Sequence, residues 1–533
     1  MALPPREILI TGTLDPHAIT TLRSCSELLV RYEPECKRDR LLELIKTATV
    51  VISRSETAID RAVIDQGSLL KVIARAAVGV SNIDIAYATQ RGILVVNTPG
   101  KNTNSAAELT LGLLLGMLRN LPQAHQHLKN SQWDRHQFVG RELRHKKIGL
   151  VGLGNVGHRV AKFCRGFDME VLAYDPYISP QVFTRHDVKA SPSLSALLAQ
   201  VDIVSVHTPL NHETTGMIGE ELLRLLPRGS YVVNAARGGI IDEHALLACL
   251  QSGHLAGVAI DTWDEEPRPR AELAQHPRVW CSPHIGASTL EAQNLIGITI
   301  VEQVLKALAG AMVDYPINLP TLGVLPSALV ASYVVLAEKL GSLAAQLKTS
   351  NPSKVELFYR GDLAGGDQSY IRLGWITGFT AHAVDGFVSF VNAAEHFAKL
   401  GLPLFETNDP NFHSYRSAIT CVLSHEDGST LTVGGVVFDE TNLRISLIDE
   451  FCFEVEPRGS FLLIRNNDQP GVIGGVGSLL AEAEINIDSF NLSRLSQGGA
   501  ALGLIKVDGA IKAQTLKELK ELPYINEVHL VSF

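Results

Sequence analysis

The chain has 533 residues, 46% hydrophobic and 19% charged, with a formal net charge of -9. One hydrophobic core does not hold that length, so several soluble domains are expected, and the mild negative charge leaves no polybasic footprint for nucleic acid. Seven cysteines, odd in number and without a CxxC pair, argue against a disulfide framework or a zinc site and suit a reducing cytosol.

The opening MALPPREILITG reads as a first strand, not a secretory leader. Residues 1–98 alternate β-branched runs (EILITG, ATVVISRS, LKVIARA, GILVVNTP) with helical stretches, the rhythm of a parallel α/β sheet. The apolar run Ala106 to Leu118 contains Glu108 and falls short of the about 20 residues a bilayer needs, so a buried or dimer-facing helix is expected. The strand rhythm restarts at KKIGLVGLG (146–154) and continues through EVLAYD, DIVSVHTP, SYVVNAA, AGVAIDTW and VWCSPH. A helix is expected from Ser288 to Ala309; Gly310 and the prolines of YPINLP then mark a boundary. A helix from about Ala328 to Leu347 opens a mixed α/β segment reaching Val455. PRGS (457–460) reads as a hinge, and 461–533 as a βαββαβ unit of ferredoxin-like order.

The strongest local signal is Gly152-Leu-Gly154-Asn-Val-Gly157 between a strand and a helix. The first glycine permits the tight turn, the second lets backbone approach a pyrophosphate, and the third lets helix pack near strand. The helix N-terminus then offers free N–H groups to phosphate. Asp175 follows Gly157 by 18 positions, where a carboxylate binds ribose hydroxyls and repels a 2′-phosphate, favouring NAD over NADP.

Three charged residues fall near the ends of successive predicted strands: Arg237 after YVVNAA, Glu266 in DTWDEEP and His284 in CSPH. Ligands of open α/β sheets collect at the carboxyl ends of strands. Together the three suit oxidation of a hydroxy acid. His284 is the natural general base, Glu266 orients it and stabilises its imidazolium form, and the planar fork of Arg237 can hold a carboxylate.

The runs NAARGGIIDEHAL, GVAIDTWDEEP and SPHIGAST resemble the signatures of the D-isomer-specific 2-hydroxyacid dehydrogenases over roughly residues 5–310. That resemblance implies Arg237, Glu266 and His284 as catalytic residues. It implies an NAD site lined by Gly152, Gly154, Asn155, Val156, Gly157, Asp175, Thr208, Ala235, Ala236, Asp261, Gly286, Ala287 and Val78, and no metal. The implied architecture is a Rossmann-type NAD domain (99–291) inserted in a flavodoxin-like substrate domain (1–98 and 292–320). A mixed α/β intervening domain (321–455) of regulatory or assembly role follows, then a ferredoxin-like ACT domain (456–533).

SAAELT and the extra C-terminal length are similar to the long branch of that family acting on 3-phosphoglycerate. This implies Arg54, Arg75, Asn102 and Arg135 at the substrate, Arg135 being donated by a neighbouring subunit. One departure stands at Arg75-Ala77-Ser81, where the family shows RAGVGVD: Ala77 replaces a glycine and Ser81 an aspartate. NDQPGVIG with Asn486-Ile-Asp resembles an ACT domain, implying Asp468 and Asn486 as ligands for an amino-acid effector such as L-serine. The expectation is therefore NAD-linked oxidation of 3-phospho-D-glycerate at the start of L-serine synthesis. The chain would be a cytoplasmic homo-oligomer, dimer or tetramer, with no nucleic-acid or membrane partner. Two alternatives stay open: a reductase of hydroxypyruvate, glyoxylate or 2-hydroxyglutarate, and an NAD-binding scaffold without turnover like the C-terminal binding protein corepressors.

Overall fold

In the computed structural model, which describes residues 6–319 and 327–533, the chain builds four sheets. The first residues of the opening run and the boundary expected at 320–321 lie outside the described residues.

The first sheet is all parallel, in the order Leu28–Glu33, Arg6–Thr11, Val50–Ser53, Val72–Arg75, Leu94–Val96. Val50–Ser53 and Val72–Arg75 are buried at every position, as central strands covered on both faces must be. Helix Leu290–Leu308 returns to this unit and packs Ile296, Ile300 and Val304 against Ile8, Ile10 and Leu22. The residues between therefore form an insertion.

The inserted sheet is also parallel, in the order Val279–Cys281, Leu255–Ile260, Ser230–Asn234, Ile203–Val206, Lys147–Val151, Glu170–Tyr174, Lys189–Ala190. Its strand order reverses beside Lys147–Val151, the switch point where such sheets open a ligand crevice. Helix Thr103–Leu118 backs it, with Ala107, Leu114 and Met117 in one core with Ile148 and Leu150. The apolar run 106–118 is thus a packing helix.

The third sheet has six strands: Leu404–Asp409 pairs parallel to Pro352–Gly361, and the rest through Phe451–Val455 are antiparallel. Helix Ala328–Leu347 is long and apolar enough to cross a membrane, yet its Tyr333, Leu336, Leu340 and Leu343 are buried with Trp375 and Phe379. It is a core helix. The fourth sheet is antiparallel, in the ferredoxin-like order Ile487–Arg494, Ala500–Val507, Ser460–Asn467, Ile525–Ser532. One of its faces packs on its own helices through Leu462 and Ile464. The other carries Phe461, Leu463, Leu502 and Val531 into the core of the third unit. The segment read as a hinge therefore joins two units that share buried apolar surface, a cohesive arrangement because that surface would otherwise face water.

Candidate active site

The glycine loop is shaped as its spacing requires. Gly152 has φ +95°, and a Cβ there would stand 2.8 Å from the His207 carbonyl oxygen. A Cβ on Gly157 would come within 2.3 Å of the Gly152 carbonyl oxygen, whereas Gly154 has nothing within 4 Å of its own. Gly154 caps helix Asn155–Arg165 without any side-chain bond, so the first-turn N–H groups are left to a ligand. Asp175 accepts from the Leu153 N–H at 2.9 Å and the Tyr177 N–H at 3.0 Å, which fixes its carboxylate beside the loop. Thr208 Oγ1 is buried without a partner, an orphan hydroxyl that an incoming polar group satisfies. These features fit a dinucleotide, with Asn155, Val156 and Gly157 at its pyrophosphate and Asp175 at its ribose. Ala235 and Ala236 follow the end of strand Ser230–Asn234 on the same side. Val78 lies on a loop of the other domain, its carbonyl held by Asn97 Nδ2 at 2.9 Å.

Glu266 and His284 meet directly: Nδ1 lies 2.7 Å from Oε2 and 2.9 Å from Oε1. Nδ1 bound to a carboxylate carries the proton, which leaves Nε2 the basic nitrogen; among the described residues Nε2 has no partner. His284 has φ +52°, a backbone state uncommon outside glycine. Asp261 holds it there. Its buried carboxylate accepts from Ser282 Oγ at 2.6 Å, Ile285 N–H at 2.8 Å and Gly286 N–H at 2.9 Å, while its carbonyl accepts the His284 N–H at 2.9 Å. Asp261 and Gly286, both expected at the cofactor, are bonded to each other on the loop that carries His284. Trp263 completes the brace, donating from its backbone N–H to Glu266 at 3.1 Å and from its indole to the Ser282 carbonyl at 3.2 Å.

Arg237 reaches across the cleft. A Cβ built on Gly79, in the other domain, would lie 3.3 Å from its Nη2. Burial pushes its guanidinium pKa down, and the nearby Glu266 charge partly opposes this. Asn234 Nδ2 holds the Arg237 carbonyl at 2.9 Å. The segment before helix Thr103–Leu118 closes the other wall: a Cβ on Gly100 would sit 3.6 Å from Asn155 Nδ2, and Asn102, two residues on, has no side-chain capping bond.

The arginines expected at phosphate divide. Arg54 is half-buried and donates to Gln293, whose amide in turn donates to the Ala287 carbonyl at 2.7 Å, so it stands beside the loop that follows His284. Arg75 departs from expectation. It is 0% exposed, and its guanidinium donates to the Arg54 and Thr57 carbonyls and to Asn82 Oδ1. Burial lowers its pKa to about 10. It is the last residue of a buried strand, and its two terminal nitrogens bond to the scaffold, whereas its buried Nε has no partner among the described residues. Arg135 is exposed on the 3-10 turn Arg135–Phe138, on the same arm as Trp133 (84% exposed) and Val139 (82%).

Asp468 and Asn486 are not brought together. Asp468 accepts from Arg494 Nη1 at 2.9 Å and the Gly498 N–H at 3.2 Å, whereas Asn486 donates to Asp508 at 2.9 Å. They lie at opposite ends of the sheet, because Asp468 follows Ser460–Asn467 and Asn486 precedes Ile487–Arg494, strands that run the same way. A single ligand touching both needs two copies of the domain.

Sequence reading passed over Asn234, Trp263, Ser282 and Gln293, which hold the reacting groups in place. The pair Gly238-Gly239 carried a signal: a Cβ on Gly238 would fall 1.9 Å from the Trp263 carbonyl oxygen, so the loops of Arg237 and Glu266 touch backbone to backbone.

Three family models match in series: the NAD-binding domain of D-isomer-specific 2-hydroxyacid dehydrogenases (111–286), the D-3-phosphoglycerate dehydrogenase intervening domain (329–449) and the ACT domain (460–524). A D-3-phosphoglycerate dehydrogenase of Methanocaldococcus jannaschii is 34% identical, covering 99% of this chain and 99% of its own. Those of Bacillus subtilis (35%, 91% and 92%) and Mycobacterium bovis (36%, 95% and 95%) match similarly. Among solved structures, a glyoxylate reductase from Paecilomyes thermophila aligns at TM-score 0.54 with 27% identity over 59% of this chain and 99% of its own. D-lactate dehydrogenase from Aquifex aeolicus, complexed with NAD and lactic acid, aligns at 0.52 with 25% identity over 57% and 96%. Both alignments cover only a little over half of this chain.

Proposed function

The chain belongs to the D-3-phosphoglycerate dehydrogenases, and from that membership we infer that Arg237, Glu266 and His284 act on the substrate. The enzyme oxidises 3-phospho-D-glycerate to 3-phosphohydroxypyruvate with NAD, the opening step of serine biosynthesis. The observation that carries the assignment of roles is the His284–Glu266 pair at 2.7 Å, facing the cleft that Arg237 spans.

Bound on the glycine loop, NAD supplies the hydride acceptor. The protein's own groups do the rest. Arg237 holds the substrate carboxylate and presents the hydroxyl-bearing carbon to the cleft. His284 Nε2 takes the hydroxyl proton as the carbonyl forms, and Glu266 stabilises the resulting imidazolium. In reduction the same nitrogen returns the proton. Arg54 and Asn102 hold the phosphate end, joined by Arg135 from a second copy. The exposed apolar arm that carries Arg135, with Leu121, Leu128, Trp133 and Val139, favours such packing, since side chains of that size are seldom left in water together.

A small-molecule substrate and an ACT regulatory domain are part of this enzyme. As effector we favour L-serine, held between Asp468 of one copy and Asn486 of another. Seven free thiols suit the cytoplasm.

The test is an NADH-coupled assay across 3-phosphoglycerate, glycerate, lactate and 2-hydroxyglutarate, repeated with NADP. Preference for 3-phosphoglycerate with NAD supports the reading; NAD binding with no turnover of any hydroxy acid overturns it.

A further inference from the structure

The loops bearing Arg237 and Glu266 are joined by two carboxylates that the chemistry above does not use. Asp264 Oδ1 accepts the Gly239 N–H at 2.6 Å. In the opposite sense, the Asp264 N–H donates to Glu243 Oε1 at 2.9 Å. Glu243 is the first residue of helix Glu243–Gln251 and only 4% exposed. Its nearest cation, Arg270, stands 4.0 Å away, beyond hydrogen-bond reach. Burial, with Asp264 and Glu265 nearby, raises its pKa. A buried carboxylate so poorly matched by charge is costly and is kept where its acceptors hold something in place. Here they hold a backbone N–H two residues before Glu266.

We propose that Asp264 and Glu243 are positioning residues for the oxidation: they clasp the Arg237 loop to the Glu266 loop and thereby fix the distance between the guanidinium and the His284–Glu266 pair. Gly238, pressed on the Trp263 carbonyl, leaves the two loops in contact but supplies no hydrogen bond of its own across it. The two carboxylates supply the direction and register. The claim rests on Arg237 as the carboxylate-binding group, and its test separates the two.

Asp264→Ala, Asp264→Asn, Arg237→Ala and the double variant Arg237→Ala/Asp264→Ala are compared in kcat/KM for 3-phosphoglycerate and in NAD affinity. Asp264→Ala should lower kcat/KM about tenfold, the upper end of one neutral hydrogen bond's worth, mainly through KM, with NAD affinity changed less than about twofold. Asp264→Asn keeps an oxygen that accepts the same bond and should restore most of the loss. In the Arg237→Ala background, Asp264→Ala should cost less than about twofold, because residues acting through one another are non-additive. A full tenfold cost in that background, or an Asn variant no better than Ala, overturns the clasp. An unchanged kcat/KM in Arg237→Ala overturns the role of Arg237 itself.

Discussion

His284 and Glu266 approach to 2.7 Å although 18 residues separate them, because each lies on a loop anchored by a different residue of the same strand end: Asp261 holds one and Trp263 the other. The pair is therefore held by bonds to Asp261 and Trp263 before any substrate arrives. Glu266→Gln keeps the shape and removes the charge. It should lower kcat by roughly tenfold or more while leaving NAD affinity unchanged, since only the charged imidazolium loses its partner. Steady-state rates with NAD titrations check this, and an unchanged kcat would reduce Glu266 to a loop residue.

Arg54 and Arg75 should behave differently. Arg54→Ala should lower the preference for 3-phosphoglycerate over glycerate by about 10- to 100-fold, the range of a hydrogen bond to a charged group. Arg75→Met should lower the unfolding midpoint, since Asn82 Oδ1 would lose its donor and the Arg54 and Thr57 carbonyls would each lose one of two. A stable Arg75→Met protein that had lost the same preference would return Arg75 to the phosphate pocket.

Asp175→Ala should narrow the selectivity for NAD over NADP by about tenfold, roughly 1.4 kcal/mol of charge repulsion at a half-buried site. The ratio of kcat/KM for the two cofactors reads it directly. Because Asp175 also accepts the Leu153 and Tyr177 N–H groups, Asp175→Asn should retain NAD binding better than Ala.

His207, directly before Thr208 and bonded to Ser205 Oγ at 2.9 Å, is held by burial at a pKa of about 4. Unfolded, it titrates near 6.5, so below that pH the unfolded chain binds a proton that the folded chain refuses. Stability should therefore fall as pH drops from about 6.5 towards 4, by roughly 3 kcal/mol in all at about 1.4 kcal/mol per unit. Urea unfolding followed by pH, with His207→Gln as control, checks it: the slope over that window should flatten in the variant.

Much of the site was legible because its signals are local. Gly152, Gly154, Gly157 and Asp175 occur within one strand-turn-helix-strand unit, and Arg237, Glu266 and His284 each follow a strand. The burial of Arg75 was not legible, because its charge was weighed over its position. Yet VIAR is the fourth strand of a parallel sheet, and such strands bury their last residue as fully as their first. The joined third and fourth units were missed although FLLI in Ser460–Asn467 is apolar on both faces, which a strand with one solvated face does not show. Asp264 and Glu243 gave no signal at all, since acceptors of backbone N–H groups can be any carboxylate and only the fold says which loop lies opposite.

The most direct measurement is the pre-steady-state appearance of NADH on mixing enzyme with saturating NAD and 3-phosphoglycerate, wild type against His284→Ala. If His284 Nε2 takes the hydroxyl proton, the variant should form NADH about 10²- to 10⁴-fold more slowly while binding NAD as tightly. Formation of NADH at a near wild-type rate would contradict that assignment.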